Sequence, residues 1–72
     1  MEIRQLIYFT RIFETGSMTR AATDLSIVQS ALSCQLGHLE KELNVRLLVR
    51  SSKGIVPTAA GQAFYQFRCG YQ

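Results

Sequence analysis

Between Gln29 and Leu43, four leucines (Leu32, Leu36, Leu39 and Leu43) recur at spacings of four, three and four. At about 100° per residue they fall within about 60° of one another on a helix. The reverse side holds Ser30, Cys34, Gly37 and Lys41, flanked by Ser33, and is small and almost uncharged. A surface helix ordinarily loads its outer face with Lys and Glu. A face this bland can press against another surface. The leucine stripe must therefore be buried by neighbouring elements while the opposite side stays accessible.

Seventy-two residues, 47% of them hydrophobic and 18% charged, form one small domain. A chain of this length buries only about 60% of its unfolded surface, so its elements must share one core. Ahead of the leucine helix, Ile3, Leu6, Ile7, Phe9, Ile12 and Phe13 recur at helical spacing and predict an amphipathic helix from Glu2 to Thr15. Gly16 ends it, as glycine commonly does just past a helix C-terminus. Ser17 reads as an N-cap for a short helix carrying Met18, Ala21, Ala22 and Leu25. Ser26-Ile27-Val28 leaves room only for a tight connection, and Asn44 fits a left-handed stop after the third helix.

Downstream, Arg46-Leu47-Leu48-Val49 and Ile55-Val56 are β-prone runs around Arg50-Ser51-Ser52-Lys53-Gly54, a polar turn with a glycine. They predict a small hairpin with a basic tip. Pro57 and Thr58 open a fourth helix, with Thr58 as N-cap, Gly61 in its first turn, and Ala63, Phe64 and Phe67 along a partial apolar face. The end, 68–72, has a glycine and no proper cap and is expected to fray.

The charge is uneven. Residues 1–30 balance to zero and residues 31–45 to −1, whereas residues 46–72 carry Arg46, Arg50, Lys53 and Arg68 without an acid. Such a segment suits a polyanionic partner. No apolar run approaches the roughly 18 residues that span a bilayer. MEIRQLIYF, with Glu2 ahead of Arg4, does not read as a signal peptide. The expectation is a cytoplasmic protein with no membrane partner. Cys34 and Cys69 then read as free thiols. With the one histidine, His38, they fall short of the four ligands of a structural zinc site, so no metal and no cofactor is expected. The chain offers no glycine-rich phosphate loop, clustered carboxylates or spaced nucleophile–base pair, which argues against an enzyme.

Helix, short helix, tight turn, longer helix, basic hairpin, helix is the order of a winged helix-turn-helix. That is a mainly α fold: a three-helix core, a small β-hairpin wing and the start of a linker helix. The first helix of the motif crosses the sugar-phosphate backbone, and the second puts its N-terminal residues into the major groove, where base edges are readable. Small polar side chains at the start of the leucine helix permit that close approach. Caps and N–H groups at Ser17 and Thr19 can meet phosphates. Arg50 and Lys53 at the hairpin tip can reach phosphates or the adjacent minor groove.

The sequence resembles the DNA-binding domain of LysR-type transcriptional regulators. The resemblance is carried by Leu6-Ile7-Tyr8-Phe9, Gly16-Ser17-Met18-Thr19-Arg20-Ala21-Ala22, Gln29-Ser30-Ala31-Leu32-Ser33, Gln35-Leu36, Leu39-Glu40, Leu47-Leu48-Val49-Arg50, Lys53-Gly54-Ile55 and Pro57-Thr58-Ala59-Ala60-Gly61. It covers nearly the whole chain in order and without gaps. It implies that Gln29, Ser30, Ser33 and Cys34 face bases, that Ser17, Thr19, Arg20 and Gln35 meet or orient toward the backbone, and that Arg50 and Lys53 form the wing. It also implies a partner of double-stranded DNA and a dimer paired through the fourth helix, either a homodimer or a heterodimer with a full-length relative. For Phe64, Tyr65 and Phe67, dimer contact and core packing stay open. On this reading residues 1–58 form the DNA-binding domain and residues 59–72 a shortened linker helix, with no small-molecule effector domain present.

Three residues depart from the family's pattern. Cys34 stands where Arg, Lys or Gln is frequent, and a thiol is a poor donor. Gly37 lies mid-helix, at a cost of about 1 kcal/mol relative to Ala. Val28 stands where a small capping residue is usual. The competing expectation is an interaction module that pairs with a full-length regulator through the last helix and does not bind DNA.

Overall fold

Four helices and one hairpin follow one another in the expected order in the computed structural model, which describes residues 2–70. Helix α1 (Ile3–Thr15) buries Gln5, Phe9 and Ile12 and closes on Gly16, whose φ of 68° puts it in the left-handed region. Glu2 is its N-cap and not its first residue, and the Glu2 N–H donates to Gln5 Oε1 at 3.3 Å. Helix α2 (Met18–Leu25) begins on Ser17, whose hydroxyl accepts from the Arg20 N–H at 3.1 Å. It ends on Ser26, also left-handed, and the Ile27 N–H folds back onto the Ala22 carbonyl at 3.1 Å.

Helix α3 spans Gln29–Leu43 and stops at Asn44, with φ of 60°. Val28 offers its first turn no side-chain hydrogen bond. Leu32 and Leu39 are wholly buried, and Leu36 and Leu43 are half-buried against the same cluster. The core they join consists of Phe9, Ile12, Met18, Ala21, Ala22, Leu47 and Leu48. Ala21 and Ala22 let α2 approach closely.

The hairpin differs from its expected limits. Strands β1 (Leu48–Ser51) and β2 (Gly54–Pro57) pair antiparallel from Leu48↔Pro57 to Ser51↔Gly54, so the turn is only Ser52-Lys53. The ladder runs further toward the tip because the Ser51 hydroxyl closes it, donating to the Gly54 carbonyl and accepting from the Lys53 N–H, both at 3.2 Å. Arg46 and Leu47, expected in the first strand, lead into it.

Helix α4 (Ala59–Gly70) starts where Thr58 ties three segments together. The Thr58 N–H donates to the Leu47 carbonyl at 2.9 Å, its hydroxyl donates to the Arg46 carbonyl, and the same hydroxyl oxygen accepts from the Gly61 N–H at 3.0 Å. Further along, Phe64 meets Phe9 edge-on with centroids 5.2 Å apart, and Tyr65 stacks on Phe13 at 4.0 Å. The Tyr65 hydroxyl donates to Glu14 at 2.8 Å. Of the end expected to fray, 68–72, the helix reaches Gly70, and Tyr71 and Gln72 lie outside the described residues. Among the described residues no helix is long and apolar enough to cross a membrane.

Two helical glycines have opposite surroundings. A Cβ on Gly61 would lie 2.0 Å from the Leu47 carbonyl oxygen, whereas one on Gly37 meets nothing within 4 Å. Gly37→Ala should therefore stabilise the chain by about 1 kcal/mol, or about 4–8 °C in Tm for a domain of this size. Gly61→Ala should destabilise it by about 1–3 kcal/mol, as overpacking does. Thermal unfolding followed by circular dichroism reads both; equal shifts would contradict this packing.

Candidate nucleic-acid interface

With the leucines turned inward, Gln29, Ser30, Ser33, Cys34, Gly37 and His38 are all exposed on α3, and Gln35 is half-buried. Beside them, Ser17, Thr19, Gln29, Arg50 and Lys53 line one open cleft of about 370 Å³. It joins the start of α2, the start of α3 and the hairpin tip. A second concavity of about 270 Å³ brings Ser33 and Gly37 together with Arg46 and Arg50. Arg50 borders both. Ser30, Cys34, Gln35 and Arg20 line neither, although all but Gln35 are exposed. The Cys34 thiol lies 3.8 Å from His38 Nε2, one helical turn on.

Hydrogen bonds hold the cleft in shape. The Ile55 N–H donates to the Gly16 carbonyl at 3.2 Å, fastening β2 to the turn between α1 and α2. Gly54, at φ of 115°, passes so close that a Cβ there would lie 3.0 Å from the Gly16 carbonyl oxygen. The Thr19 hydroxyl donates to Gln29 Oε1 at 3.2 Å, linking the first turns of α2 and α3.

Two residues were missed as parts of this arrangement. Glu40 counted in the sequence only as a charge and as part of the family resemblance. In the structure one of its carboxylate oxygens accepts from the Leu47 N–H at 2.7 Å and the Leu48 N–H at 3.1 Å. It thus suspends the start of the wing from the last turn of α3. Arg46 counted only toward the first strand and the basic segment; it is exposed and borders the same concavity as Ser33.

The three aromatics of α4 divide. Phe64 and Tyr65 are half-buried against Phe9 and Phe13, while Phe67 is 63% exposed. No group of three or more His, Cys, Asp or Glu side chains among the described residues is placed to hold a metal ion.

A three-helix core, a third helix whose polar face is open, and a β-hairpin beside that face define a winged helix-turn-helix. The family described as "Bacterial regulatory helix-turn-helix protein, lysR family" matches residues 3–62, and the chain belongs to it. The nitrogen assimilation regulatory protein nac of Escherichia coli is 49% identical over 65 residues, which are 90% of this chain and 21% of that protein. The HTH-type transcriptional regulator BenM of Acinetobacter baylyi is 45% identical over 67 residues, 93% of this chain and 22% of that protein. This chain thus spans about one fifth of the length of these curated relatives. The crystal structure of the BenM DNA-binding domain with catB site 1 DNA matches with a TM-score of 0.92 at 42% identity, covering 99% of this chain and 80% of that one. The CbnR DNA-binding domain–DNA complex matches with a TM-score of 0.88 at 46% identity, covering 93% and 77%. These relatives are transcriptional regulators and not enzymes.

Removing the Glu40 carboxylate strands two backbone donors beside buried leucines, each worth about 1–3 kcal/mol when left unpaired. Glu40→Ala should lower stability by about 2–4 kcal/mol in urea denaturation. Glu40→Gln, which keeps an acceptor oxygen, should recover more than half of that loss. Indistinguishable Ala and Gln variants would show that the carboxylate does not hold the wing.

Proposed function

We propose that this chain binds double-stranded DNA sequence-specifically as the DNA-reading part of a LysR-type transcriptional regulator. The observation that carries the reading is the cleft shared by Ser17, Thr19, Gln29, Arg50 and Lys53 beside the exposed polar face of α3. In this reading Gln29, Ser30, Ser33 and Cys34 meet base edges in the major groove. Ser17, Thr19, Arg20 and Gln35 contact or orient toward the sugar-phosphate backbone, and Arg50 and Lys53 reach it from the wing. Residues 1–58 do the reading, and residues 59–72 begin the linker helix. The protein acts in the cytoplasm, takes no cofactor or metal, and catalyses no reaction.

The association of two copies, or of one copy with a full-length relative, is assigned to α4. Phe67 is the side chain best placed for it, because 63% of its surface is exposed. The same exposure favours the second reading, a module that pairs with a full-length regulator and does not engage DNA itself.

Titration of duplex DNA at several salt concentrations separates the two. DNA binding predicts a slope of log K against log salt of about −0.9 per phosphate contacted. No binding, together with co-purification with a full-length relative, would leave the second reading. Ser33→Ala should reduce discrimination between duplexes by about 5-fold or more while non-specific affinity stays nearly unchanged. Lys53→Ala should weaken binding to every sequence alike and flatten the slope by about one phosphate. Identical behaviour of the two variants would overturn the division between groove and wing.

A further inference from the structure

Gln29 is the first residue of α3, and the cap ahead of it, Val28, provides no side-chain bond. Its restraint comes from another helix. Thr19 sits in the first turn of α2, which Ser17 caps, and its hydroxyl donates to Gln29 Oε1 at 3.2 Å. The two side chains are exposed and line the same cleft. Thr19 is itself held, since the Thr23 hydroxyl donates to its backbone carbonyl at 3.0 Å.

A glutamine amide has two ends with opposite hydrogen-bonding character. The side chain reads adenine by using both, its carbonyl oxygen accepting from N6 and its NH₂ donating to N7. In this chain Thr19 takes one of that oxygen's two lone pairs and pins its orientation, so a base donor must compete for the other, whereas Nε2 still offers two protons. Guanine shows two adjacent acceptors, O6 and N7, in the major groove, whereas adenine shows N7 beside a donor.

We infer that Thr19 is a specificity-positioning residue: its hydroxyl holds the Gln29 amide as a donor and so biases the base Gln29 meets toward guanine over adenine. This deepens the DNA-reading function proposed above and rests on it. Thr19 then has a task beyond contact with the sugar-phosphate backbone, and Gln29 is set by a residue ten positions away.

The test is selection of bound duplexes from a randomised library, followed by titration of the selected sequences, using the 72-residue chain and four variants. Gln29→Ala should erase the preference at one base pair and thereby identify the position read. At that pair the parent chain should prefer guanine over adenine. Thr19→Val, nearly the same shape without the hydroxyl, should shrink that preference by about 5-fold or more. Thr19→Ser should retain it. Gln29→Glu, an acceptor only, should move the preference toward cytosine, whose N4 donates. A Thr19→Val chain that weakens on all duplexes equally and flattens the salt slope, with base preference intact, would make Thr19 a phosphate contact only and overturn the inference. An adenine preference in the parent chain would overturn it as well. Failure of the parent chain to bind any duplex would instead remove the function on which it rests. Thermal unfolding of each variant separates these outcomes from loss of fold.

Discussion

The complete burial of Leu32 and Leu39 is the constraint on which the rest depends. Burying a leucine side chain contributes about 1.5–3 kcal/mol. The whole stability of a 72-residue domain is on the order of 4–11 kcal/mol. Turning α3 by a single residue would expose one or both leucines and remove much of that margin. Phe9 and Ile12 from α1, and Ala21 and Ala22 from α2, complete the pocket that receives them. The direction in which Gln29, Ser30, Ser33 and Cys34 face is therefore set by leucines on the other side of the helix. Any function carried by that face inherits its orientation from the core.

The wing is held by different means. Its two strands contribute Leu48 and part of Ile55 to the core, and hydrogen bonds locate the rest. The Glu40 carboxylate takes the Leu47 and Leu48 N–H groups, Thr58 ties the Leu47 carbonyl to α4, and the Gly16 carbonyl accepts from Ile55. Neutral bonds of this kind each contribute about 0.5–1.5 kcal/mol net, and those to a charged group about 1.5–3 kcal/mol. Their larger effect is geometric. They converge from α3, α4 and the α1–α2 turn, so the hairpin that carries Arg50 and Lys53 has one position relative to α3.

What could be read from the sequence was local. The leucine period and the stop at Asn44 place α3 over the residues it occupies, and Gly16, Ser17 and Thr58 act as the terminators and caps their chemistry suggests. The departures have one physical character. Strand limits moved because Glu40 and Thr58, neither of them in the hairpin, compete for the backbone of Arg46 and Leu47. Gly61 could be placed in a first turn, but the reason for glycine is the Leu47 carbonyl oxygen fourteen residues earlier. Phe64 and Tyr65 stayed ambiguous because both packing and pairing use the same apolar face; only the position of Phe9 and Phe13 shows what covers them. Contacts across seven to fifty-five residues leave no period in the chain to detect.

Val28 looks like a defect when α3 is considered as an isolated helix. A Ser or Asp there would satisfy one of the free N–H groups of the first turn and stabilise the helix by about 1 kcal/mol. The structure shows that α2, whose start also borders the cleft, does have such a cap in Ser17, while α3 does not. The first turn of α3 also lacks any acidic residue. Its N-terminus therefore keeps most of the partial positive charge of the helix dipole, about half an elementary charge. That end opens into the cleft lined by Arg50 and Lys53. A capping carboxylate would cancel the potential where the wing cations reinforce it. The missing cap thus lowers helix stability and raises the positive potential of the cleft at once, and for a surface facing a polyanion the second effect favours binding.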